Sequence, residues 1–292
     1  MPAARAGASR RERERERRPR REPPPKRERR RSDLVSRVLV AIPLAIATII
    51  FIGLGGLAFQ LFIIAAGLIC MHECYRLLGA WRPVPLIGFA ALAAMVFAAR
   101  SGGQGGVLEV AVAAVPIALV AVLARDQPRP TVAIGGTLLG IYWIGFAFAH
   151  TELLRQLPHG NSVLLDVLVG TFIADTAAYF GGRLFGRHQL APTVSPGKTV
   201  EGLVCGMLGA VLAIFIAGLY QTWLTQGDAL LLGVAVAVLG PLGDMFESVL
   251  KRDAGAKDAG TLFGAHGGAL DRLDAAMFTV VVGYYVWLAV QH

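Results

Sequence analysis

Charge is what most of this sequence lacks. Only 16% of its 292 residues are Asp, Glu, Lys or Arg, against 55% hydrophobic, and the mean hydropathy is +0.57. Soluble domains are about a quarter charged, so an ordinary water-soluble domain is excluded. The net charge of +8 sits at one end: residues 1–33 hold 14 Lys/Arg and 6 Asp/Glu, whereas residues 34–292 hold 14 of each. That neutrality excludes a basic, nucleic-acid-binding body as the source of the pI near 9.9. Cysteine is scarce too. Cys70, Cys74 and Cys205 are too few for a disulfide framework and lack zinc-site spacing, so Cys70-x-His72-x-Cys74 reads as small side chains at a helix end. A Walker-type nucleotide loop is also missing, because the glycine spacing around Gly197-Lys198-Thr199 is wrong for one.

What is present divides in two. The tail, residues 1–33, alternates Arg and Glu through Arg11–Arg18, runs through Pro23-Pro24-Pro25, and has no large apolar residue between Pro2 and Asp33. It cannot bury a core and is expected to be disordered and cytoplasmic, grazing anionic lipid headgroups. The first apolar segment comes too late and is too long for a secretory signal. From residue 34 to 292 the chain is a succession of apolar stretches, most near the ~20 residues that cross a bilayer as helix. Spans are expected near 38–55, 57–78, 84–99, 107–124, 131–150, 162–182, 200–223, 229–250 and 274–290. The fold class is therefore all-α: a polytopic membrane domain with about nine helices and a cytoplasmic N-terminus. This topology puts twelve basic residues of the body on the cytoplasmic side and only Arg100 and Arg155 opposite, the asymmetry a correct orientation requires.

Two cytoplasmic connections break the monotony. The second, from Gly243 to Asp274, holds six acids (Asp244, Glu247, Asp253, Asp258, Asp271, Asp274) and four bases (Lys251, Arg252, Lys257, Arg272). Asp244, Glu247, Ser248 and Lys251 fall at i, i+3, i+4 and i+7, one polar stripe on a helix end. Ionisable groups at such a place mark a functional cavity by default. Carboxylates suggest a divalent cation held through oxygen, Mg²⁺ where phosphates complete the shell. Lys251, Arg252, Lys257 and Arg272 then suit phosphate. The first connection, Gly181–Gly202, carries Ser195-Pro196-Gly197-Lys198-Thr199 just before a helix, an anion cradle of free N–H groups and dipole. Asp175 lies in the preceding span with Thr171 and Tyr179 on one inward stripe, open to a structural or a site-lining role; His266 is open to proton relay or to holding loop backbone. Glu73, beside His72 and near Arg76, reads as a local ion pair. Acids for metal and bases for phosphate at a membrane surface describe phosphoryl or nucleotidyl transfer to a lipid.

These residues carry a resemblance. Ser248-x-x-Lys251-Arg252, Lys257-Asp258 and His266-Gly267-Gly268-x-x-Asp271-Arg272-x-Asp274 look like the signature of the phosphatidate cytidylyltransferase (CDP-diacylglycerol synthase) family. The run from Ala174-Asp175-Thr176 to Ser195-Pro196-Gly197-Lys198-Thr199-x-Glu201-Gly202 resembles that family's upstream block. Gly264-Ala265 before His266, where Pro-Gly is common, and Val200, where an aromatic is common, depart from it. The resemblance implies that CTP and phosphatidate give CDP-diacylglycerol and pyrophosphate. It implies Asp244 and Asp271 as holders of a magnesium ion with a potassium ion beside it. Ser195, Lys198, Thr199, Ser248, Asp258 and Asp175 would meet substrate, and Lys251, Arg252, Lys257, His266 and Arg272 would belong to the catalytic set. The implied partners are CTP, phosphatidate and membrane lipids, with no nucleic acid; a homodimer stays open. The implied location is the inner cell membrane, multi-pass, with the site facing the cytoplasm. Two rival readings share features: a CTP-dependent lipid kinase or a cytidylyltransferase for another lipid phosphate, and, more distantly, a transporter using Asp175 and Asp244.

Overall fold

Each apolar run folds as a helix because a helix satisfies its own backbone hydrogen bonds where no water is available to do so. The computed structural model describes residues 42–260 and 267–291, so the basic tail and His266 lie outside the described residues. In chain order the helices are α1 (Ile42–Leu54), α2 (Gly56–Leu77), α3 (Pro85–Leu123), α4 (Pro130–Gln156), α5 (Gly160–Phe185), α6 (Val200–Leu219), α7 (Gln226–Asp253) and α8 (Leu270–Val290). Seven of them, all but α1, are long and apolar enough to cross a membrane. The chain is an all-α, multi-pass membrane protein.

The 39-residue α3 is not straight. At Gly103 its backbone takes φ 58° and ψ −145°, a conformation that glycine alone adopts without steric cost. The chain reverses there. A Cβ on Gly106 would stand 2.8 Å from the carbonyl oxygen of Ala98, and Val84 and Val122, from the two ends, share a small apolar cluster with Ala133. α3 is thus a helical hairpin whose arms coincide with the expected segments 84–99 and 107–124. Within α4 a π-helical turn, Ile141–Gly145, presents Trp143 edge-on to Phe246 of α7, with ring centroids 4.9 Å apart.

Between α5 and α6 the structure departs from an all-helical reading. Residues 189–199, expected as a loop leading into a helix, form an antiparallel hairpin of β1 (Gln189–Ala191) and β2 (Ser195–Thr199), with Gln189 opposite Thr199 and Ala191 opposite Ser195. A connection of this length must find partners for its own backbone, and pairing across a three-residue turn supplies them. Thr199 then caps α6, its hydroxyl accepting from Gly202 N at 3.1 Å.

α5 and α6 pack through small residues: Ala174, Ala178 and Gly182 on one face the Gly202, Gly206 and Ala210 stripe of the other. A Cβ on Gly206 would come within 2.9 Å of both the Ala174 carbonyl oxygen and the Ala178 Cβ, so glycine permits the approach. At the far end of the bundle, Glu152 is fully buried and ion-paired to Arg100 at 3.4 Å, while Arg155 donates to the Ile52 carbonyl and lies over the Phe59 ring. Arg100 and Arg155, which the charge pattern places away from the site, are therefore structural. Gly206→Ala is expected to cost about 1–3 kcal/mol through overpacking, read as a lower unfolding midpoint in detergent. Gly135→Ala, where a Cβ meets nothing within 4 Å, serves as the matched control and should show no loss.

Candidate active site

The β-hairpin exists in a position to matter because Lys198 projects from it onto α7. Its ammonium pairs with the Asp244 carboxylate at 2.5 Å. That contact joins the two sequence blocks in one place. Around it lies a cavity of about 530 Å³ between α5, α6, α7 and β2. Lys198, Thr199, Asp175, Arg183 and Asp244 give it charge and hydrogen-bonding capacity, while Ala178, Leu203, Pro241 and Met245 give it an apolar wall. Asp175 therefore lines the site, and its stripe-mate Tyr179 does too. Thr171 instead turns to α8, its hydroxyl 2.8 Å from that of Thr279. Arg183 lines the same cavity and donates to the Tyr179 hydroxyl.

Behind Asp244 stands a group of carboxylates. One oxygen each from Asp244, Glu247 and Asp274 can be chosen so that all lie within 4.8 Å of one another. Glu247 and Asp274 are buried, and Glu247 Oε1 has no hydrogen-bond partner among the described residues. Three acids gathered this closely repel one another, and a buried, unpartnered carboxylate oxygen is costly. A divalent cation on oxygen ligands would answer both demands, so the residues fit such an ion. The pair expected from the family resemblance was Asp244 with Asp271; among the described residues the geometry groups Asp244 with Glu247 and Asp274.

Asp271 sits one link further along. Lys251 bridges it to Glu247, bonding to Asp271 Oδ1 at 2.8 Å and to Glu247 one turn back on α7. Backbone N–H groups of Gly268 (2.7 Å) and Ala259 (3.0 Å) donate to Asp271 Oδ2. The result is a continuous relay: Lys198, Asp244, the carboxylate group, Lys251, Asp271.

The other expected residues divide by what they touch. Arg252 Nε donates to the Val194 carbonyl at the hairpin turn, so this exposed side chain ties the hairpin to the end of α7. Ser248 is buried beside Glu247. Ser195 lies opposite Ala191 in the hairpin and does not belong to the cavity wall. Lys257, Asp258 and Arg272 are exposed. His266 lies outside the described residues. Two carboxylates serve as clasps. Glu201 accepts from the backbone N–H groups of Arg187 and His188 at 3.0 and 3.2 Å, fixing the start of the hairpin connection. Glu73 was expected to pair with His72 or Arg76; it accepts instead from Leu270 N at 2.8 Å, because its buried position on α2 faces the start of α8.

Residues 35–290 match the Cytidylyltransferase family. The chain belongs to that family. A phosphatidate cytidylyltransferase of Brucella suis is 32% identical over 263 residues, covering 87% of this chain and 93% of the relative. One from Haemophilus influenzae is 39% identical over 137 residues, and the uncharacterized protein YnbB of Escherichia coli is 39% identical over 158. The match spans about half the length of these last two, 48% and 53%.

If the carboxylate group takes up a divalent cation, adding Mg²⁺ at about 100 times its Kd should stabilise the purified protein by about 2.7 kcal/mol. The increment, read from unfolding midpoints with and without the ion, should shrink in Asp274→Asn. Equal increments in the two proteins would remove Asp274 from the site.

Proposed function

We propose that the protein is a CTP:phosphatidate cytidylyltransferase, joining a cytidylyl group to a lipid phosphate with release of pyrophosphate. The observation that carries this reading is the Lys198–Asp244 contact, which brings an anion-binding hairpin and a carboxylate group to the edge of one cavity with an apolar wall. A nucleotide triphosphate and a lipid phosphate are both anions, so their union needs positive charge above all else. Lys198 and Arg183 face the cavity and are placed to meet phosphate oxygens. Asp244, Glu247 and Asp274 would hold Mg²⁺, which when bound supplies charge neutralisation at the phosphates. A phosphate monoester is already largely ionised near neutral pH, so its oxygen can attack the α-phosphorus of CTP without a strong general base. Lys251 keeps Asp271 and Glu247 in register, and Arg252 keeps the hairpin over α7.

The finer topology belongs to the same reading. With the two arms of α3 counted separately the described helices make eight spans, and the N-terminal apolar run, 38–55, is the proposed ninth. The N-terminus is then cytoplasmic, and the site faces the cytoplasm from the inner membrane, with twelve basic residues of the body on its side and two opposite. The tail, residues 1–33, supplies membrane-surface affinity and no chemistry.

The deciding experiment incubates the full chain in detergent with CTP, phosphatidate and Mg²⁺ and identifies the products. Pyrophosphate with CDP-diacylglycerol is the expected result, whereas release of CDP would make the protein a kinase. Asp244→Asn should abolish turnover while the protein stays membrane-inserted; activity within about tenfold of wild type would remove its role as a metal ligand. Lys198→Ala and Asp271→Asn should be non-additive, the double variant being little worse than the poorer single one. Fully additive losses would separate the two loops into independent sites.

A further inference from the structure

α8 begins without a cap of its own. The residue at its N-cap is Ala269, whose side chain has no hydrogen-bonding group, yet the first turn carries Asp271 and the second Asp274. Uncapped N–H groups at a buried helix start are costly, and a loosely started helix would let both carboxylates wander. The missing acceptor comes from a different helix. Glu73, near the end of α2 and only 5% exposed, receives the Leu270 N–H on Oε2 at 2.8 Å. The glycines around it are shaped to this carboxylate, since a Cβ on either Gly260 or Gly268 would overlap it. Gly268 in turn donates its own N–H to Asp271 at 2.7 Å. One buried acid thus touches both flanks of the connection between α7 and α8 and the first turn of the helix that carries the site's carboxylates.

We propose that Glu73 is a positioning residue for the reaction: it caps α8 from α2 and so sets where Asp271 and Asp274 stand relative to Asp244, Glu247 and Lys251. The proposal rests on the nucleotidyl-transfer reading for its kinetic consequences, but the cap itself has a separate readout. Glu73 is not among the residues that line the cavity or form the carboxylate group, so the backbone it holds is its route to them. Supporting groups of this kind are worth about 10–100-fold in metal affinity or activity.

The test uses the full chain in detergent, as wild type, Glu73→Ala, Glu73→Gln, Gly268→Ala and the Glu73→Ala/Gly268→Ala double variant. Glu73→Ala is expected to lower kcat by about 10–100-fold and to raise the Mg²⁺ concentration for half-maximal turnover by about tenfold, with KM for phosphatidate close to wild type. Glu73→Gln, which keeps an oxygen for the Leu270 N–H, should recover a large part of both. Gly268→Ala should be damaging because its methyl collides with the Glu73 carboxylate. In the double variant that collision is gone, so the pair should be no worse than Glu73→Ala alone. Independently of turnover, hydrogen exchange of amides 268–275 should quicken in Glu73→Ala and return toward wild type in Glu73→Gln. Unchanged exchange there, fully additive kinetic losses, or a wild-type kcat and Mg²⁺ requirement in Glu73→Ala would each overturn the proposal. A wild-type protein that makes no pyrophosphate would overturn the functional reading instead, leaving the exchange measurement to decide the cap.

Discussion

The mutual repulsion of carboxylates gathered between α7 and α8 is the constraint to which the rest of this structure answers. Asp244, Glu247 and Asp274 share a space that one cation could bridge, and two of the three are buried. Left alone, such a group would be driven apart or neutralised. Lys198 approaches it from the hairpin and Lys251 from within α7, and each also reaches something else: the cavity in the first case, Asp271 in the second. The positive charges thus compensate the acids and, by doing so, fix the hairpin and the start of α8 against one helix. Buried ion pairs contribute little net stability as a rule; here they serve to set the positions of charged groups.

Holding charged groups at a membrane surface requires a rigid frame, and the frame is built from small residues. The Gly202/Gly206 stripe lets α6 lie close against α5, and Gly243 lets α7 lie close against α8, where a Cβ would stand 2.6 Å from the Asp274 carbonyl oxygen. Without a hydrophobic drive between helices in lipid, such close backbone contact is a main source of packing energy. The two connections that carry the chemistry are each fastened by a carboxylate that accepts backbone N–H groups, Glu201 at one and Glu73 at the other. They solve one problem from opposite directions: Glu201 reaches back along its own segment, whereas Glu73 comes from a helix far away in sequence.

Membership of the cytidylyltransferase family and the geometry point to the same chemistry, yet they emphasise different residues. The polar stripe on α7 was legible because i, i+3, i+4, i+7 spacing needs no tertiary knowledge, and Asp244, Glu247, Ser248 and Lys251 do share one side of the helix end. Which acid of α8 turns toward that stripe was not legible. Asp271 and Asp274 are three residues apart and occupy neighbouring positions on one helix face, so spacing alone treats them alike. Their roles diverge because Lys251 and the N–H groups of Gly268 and Ala259 engage Asp271, leaving Asp274 to face Asp244 and Glu247.

The sequence by itself determined the membrane-spanning class, the places of most of the described helices, and the two stretches where charge concentrates. These follow from local quantities: the length of apolar runs and the rarity of charge elsewhere. Tertiary structure alone decided the partners. The pairing of Lys198 with Asp244, the turning of Arg252 onto the Val194 carbonyl, and the reach of Glu73 to Leu270 all depend on how helices distant in sequence lie against one another. A side chain's chemistry is written in the sequence, but its partner is set by packing, because a buried charged or polar group must bond to whatever the fold places within about 3 Å of it.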